Sequence, residues 1–322
     1  MNSEPSQRVL HEAASRGLRT LAADERCRAA FTASGSVLRG ILAPAGYRYV
    51  LAADREEFLG RLAALREKSY RTTAEVVGEE NFDPVAVEQV VREYLAVLDH
   101  DSPPGRLGFD LSNVGLAVSR ALARDNTERI VRAAAAKDAE VVLSMERAPA
   151  VDAVLGVFHE LAARYDNVGV TLQAHLHRSE QDIEALARPG LRVRLVKGAF
   201  QEPAEVALGR GPALDARYLR FAERLVDAGV RLSLATQDPV VLAGAEESGL
   251  LKRVDELEML HGVRPALLRR YREAGYPCRI YATYGENWWL HLLHRLAEHP
   301  PMVLSALADI GNLAEHTAGS GY

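Results

Sequence analysis

The stretch Arg192–Phe200, RVRLVKGAF, decides how the chain is read. Arg192 and Arg194 stand two apart among apolar residues, the period of a strand, and the run ends on Lys197 and Gly198. Such an end suits a strand that reaches solvent and turns. It suits equally a place where a charged ligand meets a lysine and the backbone N–H groups that a glycine leaves open. Arg194 and Lys197 are three residues apart, so their side chains face opposite ways. Either one could point inward, where a charge is costly without a partner.

Outward from this strand the same unit recurs. Short apolar runs occur at YRTTAEVV (70–77), LGFDL (107–111), EVVLSM (140–145), VGVTLQ (168–173), VRLSLAT (230–236), VDELEM (254–259) and RIYAT (279–283). Longer amphipathic segments separate them, among them 84–99, NVGLAVSRALARDNTERIVRAAAAK (113–137) and ALDARYLRFAERLVDAG (213–229). Strands alternating with helices predict a parallel sheet with crossover helices. Eight such units over about 230 residues suit an α/β chain folded as a (βα)8 barrel. An open doubly wound sheet would carry G-x-G-x-x-G after a strand, and none of these strands is followed by it. The residues before the first strand have helical periodicity, so the expected organisation is an N-terminal helical segment, 1–69, followed by the barrel, 70–322.

The 322 residues are 48% hydrophobic and 26% charged, ordinary for a globular protein, and the net charge of -5 argues against a general nucleic-acid binder. No run of about 18 apolar residues predicts a membrane span. The N-terminal residues lack a signal-peptide core, and the two cysteines, Cys27 and Cys278, require no disulfide, so a cytoplasmic location is expected.

In a barrel of this kind, chemistry sits where strands end. Those ends are Asp110, Ser144–Arg147, Gln173–His177, Arg194–Phe200, Thr236–Asp238, Met259–Gly262 and Thr283–Trp289. Thr236, Gln237 and Asp238-Pro239 read as a helix start as readily as a ligand site. His175 and His177 have a spacing that metal sites use, but two histidines are too few, and no metal is expected. In NWWLHLLHRLAEHP, His291, His294 and Arg295 share a helical face that could hold an anion over the barrel mouth, or could be a basic surface.

Several of these pieces, in order, resemble the proline dehydrogenase family. RLVKGAF (194–200) is close to RLVKGAY, and NVGVTLQAHLHRSEQDIEAL (167–186) is similar to NVGVVLQAYLxRSxxDLEAL. LATQD (234–238) resembles FATHD, and ELEMLHGV (256–263) resembles EFQMLYGV. TTAEVVGEE (72–80) is like TLDxLGE, and RIYATYGENWWLHLLHRLAEHP (279–300) resembles RVYVPYGxxWxxYLMRRLAERP. The resemblance implies a distorted (βα)8 barrel that binds FAD and oxidises a carbon–nitrogen bond by hydride transfer to the flavin. It implies Arg194 near flavin N5, Gln173 at the isoalloxazine, Met145 among the cofactor-binding residues, Lys197, Gly198 and Ala199 along the flavin and its phosphates, and Thr236 with Gln237 on the adenylate side. Asp110, Phe200, Leu260, His291, His294 and Arg295 fall at substrate positions.

Departures from the pattern concentrate in that substrate shell. GFDLSNVGL stands against SVKLTQLGL, so Asp110 takes the place of a lysine. VLSMER stands against RIDMED, so Ser144 takes the place of that lysine's aspartate. His294 replaces the first of two arginines and Arg295 keeps the second, while His291 and Phe200 replace tyrosines. The site loses fixed positive charge, and a buried Asp110 needs a donor, which a substrate N–H can be. The expected activity is dehydrogenation of a small secondary amine, hydrazine-like compound or N-substituted amino acid, with Arg194, Asp110 and Ser144 at the chemistry and Asp110 either receiving the substrate's N–H donor or, alternatively, acting as the base. Oxidation of proline itself is the alternative within that class, and a non-catalytic flavin-binding homologue the alternative outside it. A quinone or oxygen would re-oxidise the flavin.

Overall fold

A computed structural model describes residues 4–78, 81–298, 302–311 and 321–322. Glu79, Glu80, His299 and Pro300, which close two of the resembling stretches, lie outside the described residues. Four helices come first: α1 (Glu4–Ala23), α2 (Glu25–Thr32), α3 (Val37–Gly46) and α4 (Arg55–Glu67). Strands and helices then alternate as β1 (Arg71–Val76), α5 (Pro84–Asp99), β2 (Arg106–Phe109), α6 (Arg120–Ala135), β3 (Glu140–Leu143), α7 (Val151–Ala162), β4 (Val168–Gln173) and α8 (Ser179–Leu186). The series continues through β5 (Arg192–Val196), α9 (Pro212–Asp227), β6 (Arg231–Ala235), α10 (Pro239–Glu247), β7 (Glu256–Leu260), α11 (Pro265–Glu273), β8 (Cys278–Tyr284), α12 (Trp289–Glu298) and α13 (Met302–Gly311). The eight strands close into a parallel barrel in sequence order, with β1 paired to β8.

Each expected strand is present, and the differences lie at helix starts. The segment 113–137, expected to be helical throughout, becomes α6 only at Arg120. Gly115 sits at φ +120°, which no helix adopts, and the Ser119 hydroxyl then caps α6 by accepting from the Leu122 N–H at 3.1 Å. Likewise Asp24 splits the first long helical stretch by accepting from the N–H groups of Arg26 and Cys27 at the start of α2.

Strand register fixes what fills the barrel. Paired residues of neighbouring strands share a face, and the inward rows carry Arg106, Glu140, Arg192, Arg194, Ser233, Glu256, Glu258, Arg279 and Tyr281. Barrels of this class are ordinarily packed with branched apolar side chains; this one is filled by ions of alternating sign. Glu256, 0% exposed, accepts from Arg106 at 2.6 Å, Ser233 at 2.6 Å and Arg279 at 2.8 Å on one oxygen, and from Arg71 at 3.0 Å on the other. Burial pushes the Glu256 carboxyl up, but Arg279 and Arg106 outweigh it and hold it far below the usual carboxylate range. The apolar core lies outside the strands, against the helices, and takes in Phe58, Leu59, Leu62 and Leu65 of α4. Phe58 stacks on Tyr284 of β8 with ring centroids 4.3 Å apart, so α4 occupies the flank of β8.

That placement leaves α12 elsewhere. A second apolar core joins α1–α3 with α12 and α13. Phe31 lies 4.6 Å from Trp288 and 5.4 Å from Trp289, and the Ser15 hydroxyl donates to the Ala297 carbonyl at 2.8 Å. Held there, α12 reaches the C-terminal end of the barrel: His291 Nε2 is 3.4 Å from the Thr283 hydroxyl of β8. No described helix is long and apolar enough to cross a membrane.

Removing one member of a buried ion cluster strands the others. Glu256→Gln should therefore cost about 3–5 kcal/mol in urea unfolding, against less than about 0.5 kcal/mol for the surface change Glu246→Gln. Equal midpoints for the two variants would contradict the ion-filled interior.

Candidate active site

Arg194 of β5 points into the barrel. Its Nε donates to Glu258 of β7 at 2.5 Å, and its guanidinium lies 4.6 Å from the ring centroid of Tyr281 of β8. Burial alone would lower the Arg194 pKa; Glu258 and then Tyr281 offset that, and the group is held above the ordinary arginine value, charged at any working pH. One step nearer the mouth stand Glu75 and Asp110, at the inward ends of β1 and β2. The Ser144 hydroxyl lies near Asp110 and the Tyr281 hydroxyl near Glu75, each lowering the pKa of its acid, and the two hydroxyls lie 3.5 Å apart.

These acids share one physical situation. Burial raises the Asp110 carboxyl, and the charge of Glu75 raises it further, to about 7. Burial likewise raises Glu75 to about 7, while Tyr281, Arg194 and Arg295 pull it down. Two acids that feel each other titrate as a pair, so near neutral pH this pair keeps one proton. Arg295, from α12 above, bears on both. His291 and His294 on the same helix are neutral: burial first, then Arg295, lowers them to about 3 and about 4. The anion-facing side of α12 therefore carries its fixed charge on Arg295.

Strands 4, 5 and 6 form the other side of the mouth. Gln173 is buried and donates to the Glu146 carbonyl at 2.8 Å, and Met145 is buried beside it in sequence order at the end of β3. Glu146, the acid next to Met145, accepts from the Ser112 N–H at 2.8 Å and so ties the end of β3 to that of β2. Thr236 accepts from the Asp238 N–H at 3.1 Å within the turn that opens α10, with Gln237 between them half-buried. Leu260, half-buried, pairs in register with Tyr281, and Phe200 lies 5.4 Å under the Arg147 guanidinium.

Lys197 turns away from Arg194, as strand alternation requires, and its ammonium is held between Asp215 of α9 and Asp238 at the start of α10. Lys197, expected along the flavin and its phosphates, thus stands at the end of β5 with two carboxylates as its partners. Arg147 and Arg210, by contrast, pair with no carboxylate among the described residues; Arg210 donates to the Gly198 carbonyl at 2.5 Å. His175 and His177 do not converge. His175 is buried, with its pKa lowered by burial and then by Arg210, whereas His177 is exposed and sits 2.9 Å from the Ala204 carbonyl. No three described His, Cys, Asp or Glu side chains form a group able to hold a metal.

Sequence reading missed Glu75, Tyr281 and Glu258. Glu75 and Glu258 are charged residues on the inward phase of half-apolar strands, RTTAEV and ELEML, and that phase was the signal available. Their partners come from other strands and depend on barrel closure.

A polar, charged mouth on a closed barrel, with acids, hydroxyls and arginines converging, defines an enzyme site for a small charged molecule. The family model described as proline dehydrogenase matches residues 58–298. Proline dehydrogenase 1 of Bacillus subtilis subsp. natto is 25% identical over 271 residues, spanning 82% of this chain and 89% of its own length. The proline dehydrogenase of Deinococcus radiodurans is 27% identical over 265 residues, 79% of this chain and 86% of its own. Among solved structures, proline utilization A from Bdellovibrio bacteriovorus, inactivated by N-propargylglycine, superposes with a TM-score of 0.71 at 20% identity, over 86% of this chain and 35% of that one. Proline utilization A from Corynebacterium freiburgense gives 0.69 at 19% identity, over 94% of this chain and 36% of that one. This chain thus spans about a third of those larger proteins, and they share its fold. The chain belongs to the proline dehydrogenase family. It is a flavin-dependent oxidoreductase acting on a CH–NH donor.

Gly198 makes a tight turn at the mouth. Its φ is +113°, and a Cβ there would lie 1.9 Å from His175 Nδ1. Gly198→Ala should lower stability by about 1–2 kcal/mol for the backbone alone and more for the collision. Adding His175→Ala should recover the second part only, as read by thermal unfolding. A Gly198→Ala chain that melts like the parent would refute this turn.

Proposed function

We propose that the chain is an FAD-dependent dehydrogenase that oxidises the C–N bond of a small cyclic secondary amino acid, with proline the first candidate. The observation that carries this reading is the pairing of Asp110 and Glu75 opposite Arg295 and Arg194. With Glu258 answering Arg194 and one proton on the acid pair, the site is close to neutral overall. A zwitterion matches it: a carboxylate for Arg295 and an N–H donor for Asp110.

Support for a flavin comes from the donor set along strands 4 to 6. Gln173 and Arg194 present N–H groups, and Gly198 leaves bare backbone where any side chain would collide with His175. FAD, when bound, supplies the acceptor for the hydride. Arg147, Arg210 and Lys197 are cations at this side of the mouth that can meet its phosphates. Asp110 takes the proton from the substrate nitrogen, the nearby Ser144 hydroxyl favours the ionised form of that carboxyl, and Arg295 fixes the substrate's orientation. The carbon next to nitrogen then gives up its hydride and leaves as an imine. The α12 cap, seated by Trp288, Trp289 and Phe31, keeps water from the mouth. The reading places the enzyme in the cytoplasm, with a quinone or oxygen taking the electrons.

A second reading rests on Asp110 in the place where the pattern SVKLTQLGL, which GFDLSNVGL stands against, has lysine: a secondary amine without a carboxylate. Anaerobic bleaching of the flavin-loaded chain by L-proline and by pyrrolidine separates the two. The first reading expects proline to be faster in kcat/KM by about tenfold to a hundredfold, the worth of a charge-assisted hydrogen bond to Arg295. Equal or faster bleaching by pyrrolidine overturns it in favour of the second, and a chain that neither compound bleaches overturns both.

The pH dependence has a definite sign. The acid pair is raised, so its base form grows as pH rises through about 7. Accordingly kcat/KM should climb through that range, and Asp110→Asn should flatten the climb and cost about a hundredfold or more in rate. A wild-type profile that is level between pH 6 and 8 (roughly one unit either side of the pair) would remove Asp110 from the base role.

A further inference from the structure

Glu258 has no part in the reading above beyond balancing charge, yet its position is unusual. It is 1% exposed, and one of its oxygens accepts from Arg194 Nε while the other lies 3.6 Å from Arg106 Nη1. That Arg106 nitrogen already donates to Glu256 and Ser233, and Arg106 also binds Glu140 through Nε at 3.0 Å and Nη2 at 2.6 Å. Arg194 is therefore the cation that Glu258 chiefly answers.

The consequence concerns redox balance and rests on the flavin reading above. An uncompensated guanidinium beside the redox edge of a flavin favours the reduced, anionic form. A carboxylate in direct contact behind that guanidinium cancels much of its field, and in a buried site little solvent screens either charge. We propose that Glu258 is a positioning residue that holds Arg194 against Tyr281 and withholds part of its positive charge from the cofactor, making the bound flavin harder to reduce than a lone arginine would. The chain thereby favours the return of electrons to the acceptor over retention of reduced flavin.

The test is equilibrium reduction of the FAD-loaded full chain against a dye of known potential, for wild type, Glu258→Gln, Glu258→Asp, Arg194→Gln and the double variant Arg194→Gln/Glu258→Gln. Glu258→Gln should favour reduction by about tenfold in the two-electron equilibrium constant, about 30 mV. Arg194→Gln should shift it the other way, and Glu258→Asp, which keeps the charge, should stay near wild type. The double variant, which removes both charges and leaves no buried ion unpaired, should return to within about threefold of wild type. That result supports the proposal even where Glu258→Gln alone fails to fold. A double variant as hard to reduce as Arg194→Gln alone, or a Glu258→Gln potential equal to wild type, overturns it. A wild-type chain that takes up no FAD overturns the functional reading and this proposal together, whereas an unmoved potential in a flavin-loaded chain overturns this proposal alone.

Discussion

The contact between Arg194 and Glu258 sets the terms for the rest of the barrel. A guanidinium inside a closed sheet is tolerable only with a carboxylate in hydrogen-bond range, since its desolvation otherwise costs several kcal/mol. Glu258 in turn approaches Arg106, Arg106 binds Glu256 and Glu140, and Glu256 binds Arg279 and Arg71. The interior is thus a chain of ions of alternating sign that runs from the floor of the barrel to the site. Such a chain contributes less net stability than a packed apolar core of equal volume would. What it provides is a fixed place for one charged group, Arg194, stacked on Tyr281 below the mouth.

Closure of the mouth follows from a displacement of helices. Because α4 packs on the flank of β8 through Phe58 and Tyr284, the helix that follows β8 is free to lie over the strand ends. The N-terminal helices then make a separate apolar core with it, centred on Phe31 between the two tryptophans. Burial by this cap has a direct chemical effect. It keeps His291 and His294 uncharged and lifts Asp110 and Glu75 into the neutral range, where a carboxylate can exchange a proton with an amine.

Much of this was legible in the sequence, for physical reasons. Period-two apolar runs separated by amphipathic segments disclosed all eight strands, and the strand ends marked the site. The opposite facing of Arg194 and Lys197 followed from alternation alone. What stayed hidden depends on distance along the chain. The carboxylates that hold Lys197 lie 18 and 41 residues downstream, and no local pattern links them to it. Glu75 meets Tyr281 only because β1 closes onto β8, and the start of α6 at Arg120 turns on one positive φ at Gly115. The substitutions at Asp110 and Ser144 were visible as a loss of charge, but their partnership with Glu75 and Tyr281 needed the closed barrel.

Family membership and the geometry of the mouth meet in one claim: the inward arginine of the fifth strand, balanced by Glu258, faces the redox edge of a bound flavin. A crystal structure of the FAD-loaded chain tests it most directly. The account predicts the isoalloxazine across the ends of β4 to β6, with the Arg194 guanidinium against its edge and still bonded to Glu258. A flavin ring bound elsewhere, or Arg194 released from Glu258 and turned from the ring, would contradict it.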